Sequence, residues 1–310
     1  MKSIILIALV CLLHCTVINY ASDQNCPTTS TTSISSYTSP INFDYYNSKN
    51  MKFPGYPKFV LNSTYYTPIN NKAFEYMTST ACGTAALVSC DYIGMDVTGF
   101  GEAYFLYLNQ TVVYTLKELR LHVYSEHTFQ GHKMAMELQL IHELNTVKTD
   151  PTLVASFPSD HYKNLNMAVL FSTARDKKSD FVDDIIEEDE DKTKETDSKY
   201  SFAKVKSLDL NQFFNFFNPY YYYTGTGTTP FDCNVMTEWI VNQDVEYMSQ
   251  KQLRQIQLAR LNRKDASGSK STDIYQNGNA RIVNDRYSGE IEYHENTEKD
   301  GDDASGGRAA

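Results

Sequence analysis

The sequence predicts a mainly β domain of the α+β kind: a strand-rich body followed by a late helix. Three observations carry this. From about Ser39 to Val241, short apolar-alternating runs are separated by Asn, Gly, Pro and Thr, the spacing of sheet proteins. Tyr (23) and Phe (16) abound while Trp occurs once, and flat aromatic side chains favour pleated surfaces. A helical period is clear only near the end, where Ser249-Gln250-Lys251-Gln252 is a capping-box pattern opening a stretch through Leu253, Ile256 and Leu258.

At the N-terminus Lys2 precedes a ten-residue apolar run, Ile4 to Leu13, and small residues follow at Ala21 and Ser22. This pattern predicts a cleaved signal peptide over residues 1–22 and a secreted product. A membrane anchor needs about 20 apolar residues, so no membrane insertion is expected. Residues 23–38 form a Ser/Thr-rich lead-in.

Two runs in the body matter most. Leu119, Leu121 and Val123 alternate with Glu118, Arg120, His122 and Tyr124, so a strand here directs Arg120 and His122 to one face. In a second strand Glu137, Gln139 and Ile141 share one face, and Leu138, Leu140 and His142 the other. Residues 176–199 interrupt the pattern with eleven acids against five bases, a net charge of −6. A helix is expected to begin at Phe181–Ile186 and the rest to be a solvated loop. The domain is expected to span 23–292, followed by a disordered polar tail over 293–310.

Cys11 and Cys15 leave with the signal. Cys26, Cys82, Cys90 and Cys233 remain, and an even number in an exported chain predicts two disulfides in one of three connectivities. Asn62-Ser63-Thr64 and Asn109-Gln110-Thr111 are glycosylation sequons, compatible with eukaryotic export. The net charge of −10, with no Lys/Arg cluster, argues against a nucleic acid partner.

Five segments in order give the sequence a family likeness. Leu119-Arg120-Leu121-His122-Val123-Tyr124-Ser125-Glu126-His127-Thr128 resembles the F-H-F-H-W-G-S-E-H-T signature of the α-carbonic anhydrases. Glu137-Leu138-Gln139-Leu140-Ile141-His142 is similar to their E-L-H-L-V-H, and Tyr223 to Pro230 to their Y-x-G-S-L-T-T-P. Trp239-Ile240-Val241 and Ser39-Pro40-Ile41-Asn42 match two further segments. The resemblance implies a large twisted, mostly antiparallel sheet with peripheral helices. It also implies disulfides Cys26–Cys233 and Cys82–Cys90.

In that family three His ligands from two strands hold a zinc ion, which lowers the pKa of its bound water to about 7. Carried over, the ligand positions are Arg120, His122 and Gln139, of which only His122 is an imidazole. Thr228 and Glu126 occupy the positions of the hydroxide-orienting pair, with Thr229 beside them and Glu137 behind the ligands. Phe100 stands at the proton-shuttle position, Gly227 replaces a pocket-lining Leu, and Val169 keeps another wall position. A guanidinium about 4 Å from a divalent ion would repel it by about 8 kcal/mol at an effective dielectric near 20. No zinc is therefore expected, and Arg120 is expected to pair with Glu137, Gln139 or Glu126. His127 and His142 read as satisfied core or surface histidines.

The resemblance thus implies a catalytically inactive relative acting as an extracellular binding or structural module with a protein partner. Two other functions fit the same residues. One is a zinc-dependent CO₂ hydratase with a non-standard ligand set. The other is an anion receptor using Arg120 and Thr228.

Overall fold

The computed structural model describes residues 39–43, 51–52, 59–78, 91–157, 161–188, 199–214, 218–228, 235–261 and 291–294. The expected signal peptide, the four cysteines and Thr229 lie outside these residues. So do residues 189–198 and everything beyond His294.

The strands in chain order begin with β1 (Asn42–Phe43), β2 (Met51–Lys52), β3 (Phe59–Tyr66) and β4 (Glu75–Thr78). The central set follows: β5 (Asp91–Asp96), β6 (Gly101–Tyr107), β7 (Gln110–His122), β8 (Thr128–Phe129), β9 (His132–Lys133), β10 (Met136–Leu144) and β11 (Asn164–Ser172). Next come β12 (Ile186–Glu188), β13 (Tyr200–Phe202), β14 (Tyr220–Thr226), β15 (Met236–Asn242), β16 (Glu246–Tyr247) and β17 (Ile291–His294). The helices are α1 (Pro151–Ser156), α2 (Asp180–Ile185) and α3 (Gln250–Leu261), with a 3₁₀ turn at Leu210–Gln212.

Among the described residues, twelve strands form one sheet whose main path runs β2-β17-β14-β15-β11-β10-β7-β5-β4. It is mostly antiparallel, as the resemblance implied, with parallel pairing where β11 meets β15 and β16 and where β17 meets β2. Side-chain alternation splits its interior in two. One face carries a large apolar core that includes Leu121, Leu138, Leu140, Val169 and Ile240. The other carries a smaller, aromatic one built from Phe43, Tyr221, Tyr223 and Trp239 with Ala168 and Leu170. The run Tyr220–Tyr223 feeds both, its odd and even members taking opposite faces.

The late helix forms as expected, and its capping box closes reciprocally. Ser249 Oγ accepts from Gln252 N (3.1 Å) and Gln252 Oε1 accepts from Ser249 N (3.0 Å). Leu253 and Ile256 are buried; Ala259, rather than Leu258, completes the buried stripe. Gln252 Nε2 also donates to Ser179 O and Asp183 Oδ1, clamping α3 onto α2 (both 2.7 Å).

Two expected boundaries need correction. Helix α2 lies where predicted, anchored by Phe181 against Phe171 and Phe213. However, Ile186–Glu188 pair with Tyr200–Phe202 as a two-stranded ribbon, so these residues are strand where a solvated loop was expected. At the other end, β17 carries the domain past 292. Its pairing with β14 builds Tyr293 and His294 into the sheet, and His294 stacks on Tyr220 at 4.6 Å.

Candidate functional site

The site follows from one register. β7 and β10 pair antiparallel with Arg120 opposite Gln139 and His122 opposite Glu137, so the predicted ligand positions meet across two strands. On the far side of β10, Ala168 and Leu170 of β11 lie opposite Gln139 and Glu137 and wall the centre with apolar groups. Val169 alternates to the other face and packs in the larger core, so it does not line the site as expected. Phe100 likewise packs against that larger core.

Gln139 occupies the middle, fully buried. Its Nε2 donates to Glu126 Oε2 and to Glu137 Oε1, both at 2.8 Å, and its Oε1 accepts from the Thr228 hydroxyl at 3.3 Å. Two carboxylate acceptors fix the amide's orientation. The Gln139 amide thereby stands between Thr228 and Glu126, the two residues expected to act as an orienting pair.

Behind Gln139 the polar groups are fully engaged. Glu137 Oε2 accepts from the backbone N–H of Glu126 and of His127 (2.9 Å each), and Oε1 also faces His127 Nδ1 at 2.8 Å. Burial alone would raise the Glu137 carboxyl. The attraction and hydrogen bond of His127, with lesser contributions from His122 and the Gln139 amide, outweigh it and hold Glu137 well below the usual carboxylate range. His127 Nε2 meets the Tyr223 hydroxyl at 2.7 Å, and that hydroxyl donates to Ser39 Oγ at 3.0 Å. Ser39 and Thr226 then exchange two bonds of 3.1 Å, and Trp239 Nε1 donates to Thr226 O at 2.9 Å. His127 is thus a satisfied core histidine, as expected. Its place in a chain from Gln139 to Ser39 was not legible, although every member lies in one of the five family-like segments.

Arg120 departs from expectation. It turns along its own strand, donating from Nε (3.2 Å) and from its terminal nitrogen (3.0 Å) to Glu118 Oε2. Its guanidinium also lies 4.9 Å from the centre of the Tyr92 ring. The expected ion pair with Glu137 or Glu126 is therefore replaced by one with Glu118. The available signal was an opposite charge two residues away on the same strand face. Gly94 of β5, opposite Arg120, makes room: a Cβ there would come within 2.6 Å of Glu118 Oε1.

His122 is buried at 3% exposure, yet neither ring nitrogen has a hydrogen-bond partner; Nδ1 lies 3.5 Å from Glu126 Oε1. Gly227, beside Thr228, is buried and donates its N–H to Val235 O. Among the described residues, no group of three or more His, Cys, Asp or Glu side chains is placed to hold a metal ion. His142, on the opposite face, is closed by Tyr66 OH on Nε2 (3.0 Å) and Leu140 O at Nδ1 (3.1 Å). Asn62 and Asn109, the two sequon asparagines, are exposed.

The family model for eukaryotic-type carbonic anhydrases matches residues 23–294. No curated protein matches the chain. Among solved structures, a halotolerant carbonic anhydrase from Dunaliella salina is similar at a TM-score of 0.55 and 12% identity, over 84% of this chain and 88% of that one. Dioscorin complexed with ascorbate is similar at 0.53 and 20%, over 84% and 87%. A carbonic anhydrase from Chlamydomonas reinhardtii in complex with acetazolamide is similar at 0.51 and 16%, over 89% and 98%. At these identities the likeness is one of fold.

Proposed function

The chain belongs to the eukaryotic-type carbonic anhydrase family, and we propose that it is a non-catalytic member working as a secreted binding or structural module. The observation that carries this reading is the Gln139 amide. Both of its ends are tied to protein groups at the position where the family's third ligand would stand. To offer its oxygen to a metal, Gln139 would have to release Thr228.

The residues present do not fit zinc. A catalytic zinc takes three protein ligands, commonly imidazoles, and keeps an open position for water. Here the ligand positions offer one imidazole and an engaged neutral amide, which is a poor zinc donor. Arg120, bound to Glu118, supplies no ligand at all. With the Gln139 amide between Thr228 and Glu126, the path from hydroxyl to carboxylate that would orient a hydroxide is interrupted as well. The anion-receptor reading loses its main support, because the Arg120 guanidinium is already committed to Glu118 and Tyr92.

Export is supported by the apolar run from Ile4 to Leu13 and by two exposed sequons. The partner that this reading implies is an extracellular protein. Metal analysis of the purified mature protein, together with a CO₂ hydration assay, tests the proposal. The expected result is well under one zinc per chain and no hydration above buffer. Stoichiometric, chelator-removable zinc with measurable turnover would overturn it.

A further inference from the structure

His122 shows that the centre is built for something more than its own side chains. A buried imidazole without a hydrogen-bond partner is unfavourable by about 1–3 kcal/mol, so folded proteins rarely keep one unless a ligand or water completes it. The groups around it define what that ligand can be. Glu126 and Glu137 are both completely buried, Glu126 Oε1 lies 3.5 Å from His122 Nδ1, and the Thr228 hydroxyl meets the Gln139 oxygen beside Glu126. Acceptors thus outnumber donors. The Arg120 guanidinium is drawn off to Glu118, and that of Arg260 donates to the Val123 carbonyl. Gly227 contributes no side chain beside Thr228. An anion entering here would meet two buried carboxylates, with the Lys133 charge reaching both.

The geometry points to the centre between β7 and β10 as a receptor position for a primary ammonium group, recognised by His122, Glu126 and Thr228. An ammonium carries three N–H donors and no acceptor, which matches an imidazole nitrogen, a carboxylate and a hydroxyl oxygen. The field at the site already acts this way on the protein's own lysine. Burial pulls the Lys133 ammonium pKa down, while the charges of Glu126 and Glu137 pull it back up. This inference rests on the non-catalytic reading and names the ligand chemistry of the same site.

The test is thermal unfolding of the purified full-length protein in methylammonium chloride, against sodium chloride of equal ionic strength. A saturable rise in Tm of about 2–4 °C is expected. It should vanish in Glu126→Gln and in His122→Leu, the second variant covering the case in which the first fails to fold. Sodium bicarbonate and sodium sulfate should give no saturable shift. Nα-acetyl-lysine methylamide separates two sources of the same group: a shift with it marks entry of a lysine side chain, and a shift with methylammonium alone marks a free amine. The inference is overturned by no saturable methylammonium shift, by an equal shift in His122→Leu, or by stabilisation from either anion instead. Zinc measured on the same sample separates the two failures. Stoichiometric zinc sinks both readings, whereas zinc-free protein that ignores methylammonium sinks only this one.

Discussion

His122 and His127 lie five residues apart, both buried, and the protein treats them oppositely. His127 has both ring nitrogens occupied, by Glu137 and by Tyr223, and its ring packs 4.8 Å from Trp239. His122 has neither nitrogen hydrogen-bonded. The difference separates a scaffold residue from a site residue. A group whose partners are all internal contributes to holding the fold. A group that makes no internal hydrogen bond can be replaced without stranding another. The same contrast divides the whole centre: Glu137, Gln139 and His127 form a closed network, while the His122 ring forms its open edge.

The largest expected effect comes from breaking the closed half. His127→Phe keeps a ring against Trp239 and Phe43 but removes both polar contacts. Glu137 then keeps its backbone donors and Gln139 while losing its His127 partner inside the core. Removing one member of a buried pair typically destabilises by about 3–5 kcal/mol. Urea unfolding at neutral pH measures this directly. A loss below about 1 kcal/mol would mean that the closed network does not support the fold.

Much of this was legible from sequence, and the residues show why the rest was not. Alternation placed Arg120 with His122 and Glu137 with Gln139, because strand period fixes the face. The capping box placed α3 because its bonds are local. Partner choice is not local. Whether Arg120 reaches across to Glu137 or along its strand to Glu118 depends on the space left by Gly94, a residue on another strand. Likewise the link from His127 through Tyr223 to Ser39 spans sequence separations of 96 and 184 residues. Val169 was misplaced because a motif match names a residue without fixing which face of the sheet it takes.

A third histidine sharpens the contrast. His142 is closed like His127, but by neutral groups, Tyr66 and the Leu140 carbonyl. Burial, opposed by the backbone bonds, lowers its pKa from 6.5 to about 4. The folded protein therefore resists protonating it while the unfolded chain does not. The unfolded state binds more protons between those two values, so this stabilisation is full above about pH 6.5 and is lost as pH falls toward 4. A shift of that size corresponds to about 3 kcal/mol across the window. Comparing urea unfolding at pH 7 and pH 4.5 should show His142→Leu losing less stability on acidification than the parent protein does. Identical pH slopes would show that His142 is not held neutral by the fold.

The smallest expected effect falls on the open edge. His122→Leu removes two buried ring nitrogens that have no hydrogen bond to lose, and replaces them with an apolar side chain of similar bulk. Deleting a polar group normally destabilises by stranding its partner, but here Gln139 and Glu137 keep every bond they make. The 3.5 Å approach of Nδ1 to Glu126 is too long and buried too deep to contribute much beyond the desolvation of both groups. Stability should therefore stay within about 1 kcal/mol of the parent and tend upward, since relieving an unsatisfied buried group offsets whatever packing is lost. The measurement is the same urea titration, made in sodium chloride with amines excluded. A loss as large as that of His127→Phe would erase the distinction between the two histidines and place His122 in the scaffold.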